Sequence, residues 1–330
     1  MQVYIFSLFL DNLSDFTLYF FLVIIFAMID EENYYNETYT ENVIRRFKID
    51  ELYFRGKTDH QYVECFSNQY LGKVLFLDEK IQSAQVDEYI YHESLVHPAL
   101  ITHPEPRQAL ILGGGEGATL RETLKHQTVE KATMVDIDKQ LVELCQEYLP
   151  EWSEGAFSSP KTDLIYGDAR RFVEGTQQKY DVIISDLTEP LEKGPSVYLF
   201  TQEFFFRIFE ILEKDGVFIL QAGSTDPVFS QFYSSLARTL ERVFPLVRPY
   251  WTFVLSFALP WGFILASKSK DPLQLEEKEI SKRIRNRKIR KLKFYHSGLH
   301  RSYFALPLYL LENLKEGKIL TDKKPFIWEL

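Results

Sequence analysis

The sequence is poor in cysteine. Its 330 residues hold only Cys65 and Cys145, 80 positions apart. That excludes a disulfide framework and any CxxC metal spacing, and both thiols read as buried and reduced in a cytoplasmic protein. Basic charge is not in surplus either: 38 Lys and Arg stand against 47 Asp and Glu, for a net charge of −9. The balance argues against a nucleic-acid partner and for a cationic one. Long apolar runs are also missing. Phe16–Ile29 is apolar over 14 residues, short of the roughly 20 that span a bilayer. It lacks the basic flank and small-residue cleavage site of a signal peptide. We read Met28 as the initiator and residues 1–29 as an extension outside the fold; membrane contact through them is the lesser alternative.

What is present centres on Ala109–Asp138. The short apolar run Ala109–Leu112 is stopped by Gly113-Gly114-Gly115, and an amphipathic run from Ala118 to Lys125 follows. Strand, glycine turn and helix start in that order cradle an electron-rich ligand, because glycines let backbone N–H groups approach it. After a second apolar run, Asp136 arrives 21 positions past Gly115, where a carboxylate grips ribose hydroxyls in nucleotide-binding βαβ units.

The strand–helix alternation continues to Ala266, with strands expected at Leu164–Tyr166, Val182–Ser185, Gly216–Gln221, Trp251–Phe257 and Gly262–Ala266. It predicts an α/β fold with a parallel, doubly wound sheet closed by an antiparallel pair. Ahead of it, Lys48–Gly56, Gln61–Phe66 and Lys73–Leu77 alternate as strands. The expected organisation is an extension (1–29), a small N-terminal antiparallel β-unit (30–86) and a Rossmann-like domain (87–330). The N-terminal unit is too small to stand alone, so a homodimer or homotetramer is expected. A helix begins at Asp87-Glu88 and runs to Pro98; Glu88, Tyr91 and His92 share one of its faces. Lys278–Lys293 carries nine basic residues and one acid, and reads as a solvated helix face rather than an RNA site.

In an open α/β sheet ligands bind at the carboxyl ends of the strands. Four consecutive strand ends here carry acids: Glu116 in the glycine turn, Asp136, Asp168 and Asp186, with Glu189 three further on. Converging carboxylates repel one another unless cations lie between them. The acids come one per strand without His or Cys partners, which disfavours a metal and points to a positively charged substrate.

The motifs LDEKIQSAQVDEYIYHESLVHP (77–98), GGGEGATLRE (113–122), VDID (135–138), GDA (167–169), SDLTEP…GP (185–195) and HRSYFALP (300–307) resemble those of the polyamine aminopropyltransferases, the spermidine and spermine or thermospermine synthases. The resemblance implies a methyltransferase-type sheet and no resident cofactor. Its co-substrate would be decarboxylated S-adenosylmethionine, whose aminopropyl group passes to a primary amine. By position, Gly113 and Gly115 form the donor turn and Asp136 holds the ribose. Asp168, Ala169 and Pro195 line the adenine pocket, and Gln61 reaches the nucleoside from the N-terminal unit. Asp186 becomes the base, Tyr91 and His92 orient the amine, and Glu116 and Glu189 take ammonium groups.

The loop after Asp186 departs from the Asp-x-x-Asp-Pro-x-Gly-Pro pattern. Its second acid is Glu189, and Leu191-Glu192-Lys193 makes it two residues longer before Gly194-Pro195. Putrescine is the expected acceptor, with spermidine or agmatine next. The alternatives are a methyltransferase using the intact donor, whose carboxylate Glu116 would repel, and a non-catalytic nucleoside-binding or membrane-tethered protein.

Overall fold

The computed structural model describes residues 33–190 and 196–328. The expected extension 1–29, the longer part of the loop after Asp186 (191–195) and Pro195 with it lie outside the described residues. Among the described residues no helix is long and apolar enough to cross a membrane.

Three sheets build the chain. A two-stranded hairpin, β1 (Tyr34–Thr40) and β2 (Val43–Lys48), precedes a four-stranded antiparallel sheet, β3 (Glu51–Lys57), β4 (Tyr62–Asn68), β5 (Gly72–Leu77) and β6 (Lys80–Ala84). The expected strand Lys48–Gly56 is β3 from Glu51 onward, and Lys48 instead ends β2. The chain turns at Ile49-Asp50, where Asn68 Nδ2 donates to Lys48 O (2.7 Å).

The central sheet has seven strands: β7 (Gln108–Gly113), β8 (Lys131–Asp136), β9 (Thr162–Tyr166), β10 (Tyr180–Asp186), β11 (Leu212–Ser224), β12 (Leu246–Val254) and β13 (Leu259–Ser267). Their order is β12-β13-β11-β10-β7-β8-β9, and β13 alone is antiparallel to both neighbours. Buried on both faces, β7 and β8 are near-continuous apolar runs, as parallel strands under two helix layers must be. The order of strands reverses between β7 and β10, which opens a crevice at their carboxyl ends. The carboxyl end of β8 borders it.

Helix α1 (Glu88–Thr102) packs across this sheet and continues four residues past the expected end at Pro98. Proline has no N–H for the carbonyl one turn back; Tyr250 supplies the missing donor, its hydroxyl reaching Ser94 O at 2.6 Å. The basic run is only partly a solvated face. Helix α7 (Glu277–Asn286), numbered after α2 to α6 at Ala118–Leu124, Lys139–Tyr148, Ala169–Gly175, Gln202–Ile211 and Gln231–Leu240, presents Arg283 to the end of α1. Arg283 donates to Ile101 O (2.6 Å). The buried Arg287 donates to Leu100 O, His103 O and Pro104 O, the last two at 2.8 and 2.7 Å. Cations belong at such a carbonyl-rich helix end. Lys282, Arg285, Lys288 and Arg290 stay exposed.

Candidate active site

The crevice is a cavity of about 980 Å³. Its floor is the glycine turn. Gly113 has φ +79°, and a Cβ there would lie 2.3 Å from Asp186 O, so only glycine fits. The turn is tied to β10 by Gly114 N–H donating to Asp186 O (3.0 Å). A Cβ on Gly115 would come within 3.0 Å of Asp136 Oδ2, so the turn and the end of β8 also touch. Glu116, Asp136, Asp168 and Asp186 all face this one cavity, with Tyr91, Ala169 and Glu189. Cys65 and Cys145 are free and buried.

Asp186 is held by two hydroxyls. Tyr91 donates to Oδ1 at 2.7 Å and Thr119 to Oδ2 at 2.6 Å. Burial, then the neighbouring Asp186, keep the Tyr91 phenol far above its usual range and therefore protonated. Asp136 accepts from Asp138 N–H at 2.8 Å; burial raises its carboxyl to about 6. Burial likewise lifts Glu189 to about 7, against the pull of Trp328 and Lys80. Asp168 caps α4 by accepting from Arg171 N–H (2.9 Å) while still lining the cavity.

Two expected site residues sit differently. Gln61 lines the cavity, but its amide donates to Asp138 Oδ2 (2.8 Å), beside Thr58 on the same oxygen (2.6 Å). These bonds dock the N-terminal sheet onto the start of α3. His92 stands behind the cavity wall, almost wholly buried. Its Nε2 lies 2.5 Å from Glu116 Oε1 and its Nδ1 3.1 Å from Glu88 Oε2. Burial opposes a charge here, yet Glu116 and then Glu88 overcome it and hold the imidazole up at about 10. Burial leaves Glu116 above its ordinary value even with His92 pulling it down.

Thr119 and Arg121 were not among the expected site residues. Both lie on the first turns of α2, and the only signal for them was the text ATLRE directly after the glycines. The roof is the β1–β2 hairpin. Tyr39 donates to Asp226 Oδ2 (2.7 Å), and Arg45 pairs with Glu37 (2.6 Å) while donating to Ser256 O and Phe257 O. Among the described residues no group of three or more His, Cys, Asp or Glu could hold a metal ion.

Comparison with known proteins matches this architecture closely. The family profile "Spermine/spermidine synthase domain" matches residues 88–278, and "Spermidine synthase tetramerisation domain" matches residues 33–93. The polyamine aminopropyltransferase 2 of Hyperthermus butylicus is 45% identical over 86% of this chain and 93% of its own. The polyamine aminopropyltransferase of Sulfurisphaera tokodaii is 42% identical over 82% and 89%. Two solved structures superpose on it. A spermidine synthase in complex with the transition state analogue AdoDATO does so with TM-score 0.80, 34% identity and coverage of 86% and 95%. The spermidine synthase of Thermotoga maritima gives 0.78, 33%, 86% and 94%. With a methyltransferase-type sheet, an acid-lined crevice and these relatives across nearly its whole described length, the chain belongs to the spermine/spermidine synthase family and is a polyamine aminopropyltransferase.

Proposed function

We propose that this enzyme transfers the aminopropyl group of decarboxylated S-adenosylmethionine to putrescine, yielding spermidine and methylthioadenosine. The observation that carries the proposal is the meeting of four acid-bearing strand ends in one cavity. Asp136 and the Gly113–Gly115 turn would seat the nucleoside's ribose, Asp168 and Ala169 its adenine, with Gln61 at the edge of that pocket. Glu116 would receive the donor's ammonium, and Glu189 a second ammonium on the acceptor.

The acceptor arrives protonated and cannot attack. Asp186 takes the proton, and the freed nitrogen lone pair attacks the carbon beside sulfur. The C–S bond breaks, and its electrons stay on sulfur as the sulfonium becomes a neutral thioether. Tyr91 steadies the carboxylate that does this; His92 acts through Glu116. A carboxylate near neutral pH at Glu189 suits an ammonium partner, because the incoming charge supplies what burial withholds.

The cavity sits at the upper end of the roughly 300–1,000 Å³ usual for small-ligand sites and continues past Asp186 to Tyr39, Trp261 and Trp328. That reach favours spermidine or agmatine as a second class of acceptor. Incubation with the decarboxylated donor and a panel of putrescine, agmatine, cadaverine and spermidine, with products identified by chromatography, tests both readings. Putrescine should give the highest kcat/KM; a preference for a longer amine replaces the first reading with the second. Transfer of a methyl group from the intact donor would dismiss both.

A further inference from the structure

We infer that Arg121 is a positioning residue for the donor: through Glu88 it fixes the proton on His92, and so keeps Glu116 a carboxylate at the aminopropyl end of the cavity. The inference rests on the reading that Glu116 meets the donor's ammonium.

The chain of contacts is continuous and buried. Arg121 Nη2 donates to Glu88 Oε2 (2.8 Å), Nε to Glu122 Oε1 (2.8 Å) and Nη1 to Trp152 O (2.7 Å). All three nitrogens are committed, so the planar fork cannot rotate. Glu88 Oε2, held by Arg121, faces His92 Nδ1 at 3.1 Å, and the same Nδ1 lies 2.7 Å from Glu88 O. A backbone carbonyl only accepts, so Nδ1 must carry a hydrogen. The opposite nitrogen, Nε2, faces Glu116 Oε1 at 2.5 Å.

That leaves one proton to place between Nε2 and Glu116. On His92 it makes an imidazolium beside a carboxylate; on Glu116 it makes two neutral groups. Burial alone favours the neutral pair. The ionised Glu88 tips the balance the other way, and Glu88 is ionised because His92 and then Arg121 together outweigh its burial. The cluster sets three acids, Glu88, Glu116 and Glu122, against His92, Arg121 and Lys125, the last at 2.6 Å from Glu122, with His97 Nε2 also 3.0 Å from Glu122. A protonated Glu116 would have no charge to offer an ammonium. The charged groups that act on the His92–Glu116 pair are Glu88 on α1 and Asp186 on β10, with Arg121 on α2 acting through Glu88; Tyr91 and Cys145 also lie close, and burial keeps both neutral. Of these, only Arg121 supplies a permanent positive charge.

The test uses the full-length enzyme carrying Arg121→Gln, Arg121→Lys or Glu88→Gln, with donor KM and kcat measured between about pH 6 and pH 9. Arg121→Gln should raise donor KM about 10-fold or more at pH 7, the size of a lost charge-assisted contact, with kcat at saturating donor changed less than about 3-fold. The penalty should shrink as pH rises and Glu116 ionises unaided. Glu88→Gln, nearly isosteric, should reproduce the pattern, and Arg121→Lys should restore part of the affinity. A wild-type donor KM in folded Arg121→Gln and Glu88→Gln overturns the inference, and so does a KM penalty that stays flat with pH. Should Arg121→Gln fail to fold, Glu88→Gln decides alone. Glu116→Gln separates the two levels. If it leaves donor KM unchanged, the reading of Glu116 fails; if it raises KM while the other variants do not, only the role of Arg121 fails.

Discussion

Helix α1 separates two populations of carboxylate that the sequence writes in the same letters. On the cavity side, Asp186 is bound by the Tyr91 and Thr119 hydroxyls and Asp136 by a backbone N–H. Among the described residues, Asp136, Asp186 and Glu189 make no ion pair. On the far side, Glu93 accepts from Lys293 N–H, Phe294 N–H and Tyr295 N–H at 2.7–2.9 Å. Nearby Glu88 and Glu122 are matched by Arg121, Lys125, His92 and His97. Tyr91 and Glu93 are two positions apart, about 200° around the helix, and so they look in opposite directions. The difference teaches where each group finds its counter-charge. Behind the helix the protein supplies it. In front the site is left short of positive charge, as the proposed cationic substrates require.

Three substitutions can break or sharpen this contrast. The largest effect is expected from Asp186→Asn: kcat should fall at least about 100-fold, the usual cost of losing a general base, while the unfolding midpoint moves little. Steady-state turnover and thermal unfolding of one preparation check both halves, and unchanged turnover removes Asp186 from the mechanism.

Glu93→Ala should do the reverse. Three N–H groups, that of Tyr295 buried and those of Lys293 and Phe294 partly so, lose a charged acceptor, which should cost on the order of 2 kcal/mol or more of stability, with KM per folded enzyme unchanged. Denaturant unfolding reads the first quantity, and a KM shift would place Glu93 on the functional side after all.

The smallest effect, and the most diagnostic, concerns Asp136. Its carboxyl is raised to about 6 in the free enzyme, from an ordinary value of 3.8. A raised acid binds more protons folded than unfolded, so the native state loses stability as pH climbs from about 4 through 6. Asp136→Asn should therefore stabilise the free enzyme at pH 7, by on the order of 2 kcal/mol, while weakening the donor. Melting temperature as a function of pH, with and without methylthioadenosine, measures both. A variant that melts lower than wild type at pH 7 contradicts the account.

Much of the front was readable from the chain alone. The apolar run stopped by three glycines fixes β7 and its turn by local rules, and the acids at successive strand ends converge because parallel topology carries each to the same rim. The antiparallel closing pair was also legible, from two adjacent strands with no helix between them. The back was not. Glu93 finds its partners 200 residues away, and Pro98 continues its helix because of a tyrosine in β12. Arg287 looks like its exposed neighbour Arg285, but it lies buried against the end of α1. Periodicity reports which way a residue faces on its own element, not what the fold will set opposite it. The β1–β2 hairpin and β6 were missed for a related reason: the groups that hold them, such as Phe66 and Phe76 against Tyr35, belong to other strands.

The bond from Gly114 to the carbonyl of Asp186 has a consequence for motion. The glycine turn and Asp186, proposed as sulfonium cradle and proton acceptor, are stitched to adjacent strands in one register, Gly113 opposite Asp186. When the sheet flexes, the turn and Asp186 travel as one body, so on the proposed mechanism thermal breathing that loosens the roof need not spoil the alignment on which displacement at carbon depends.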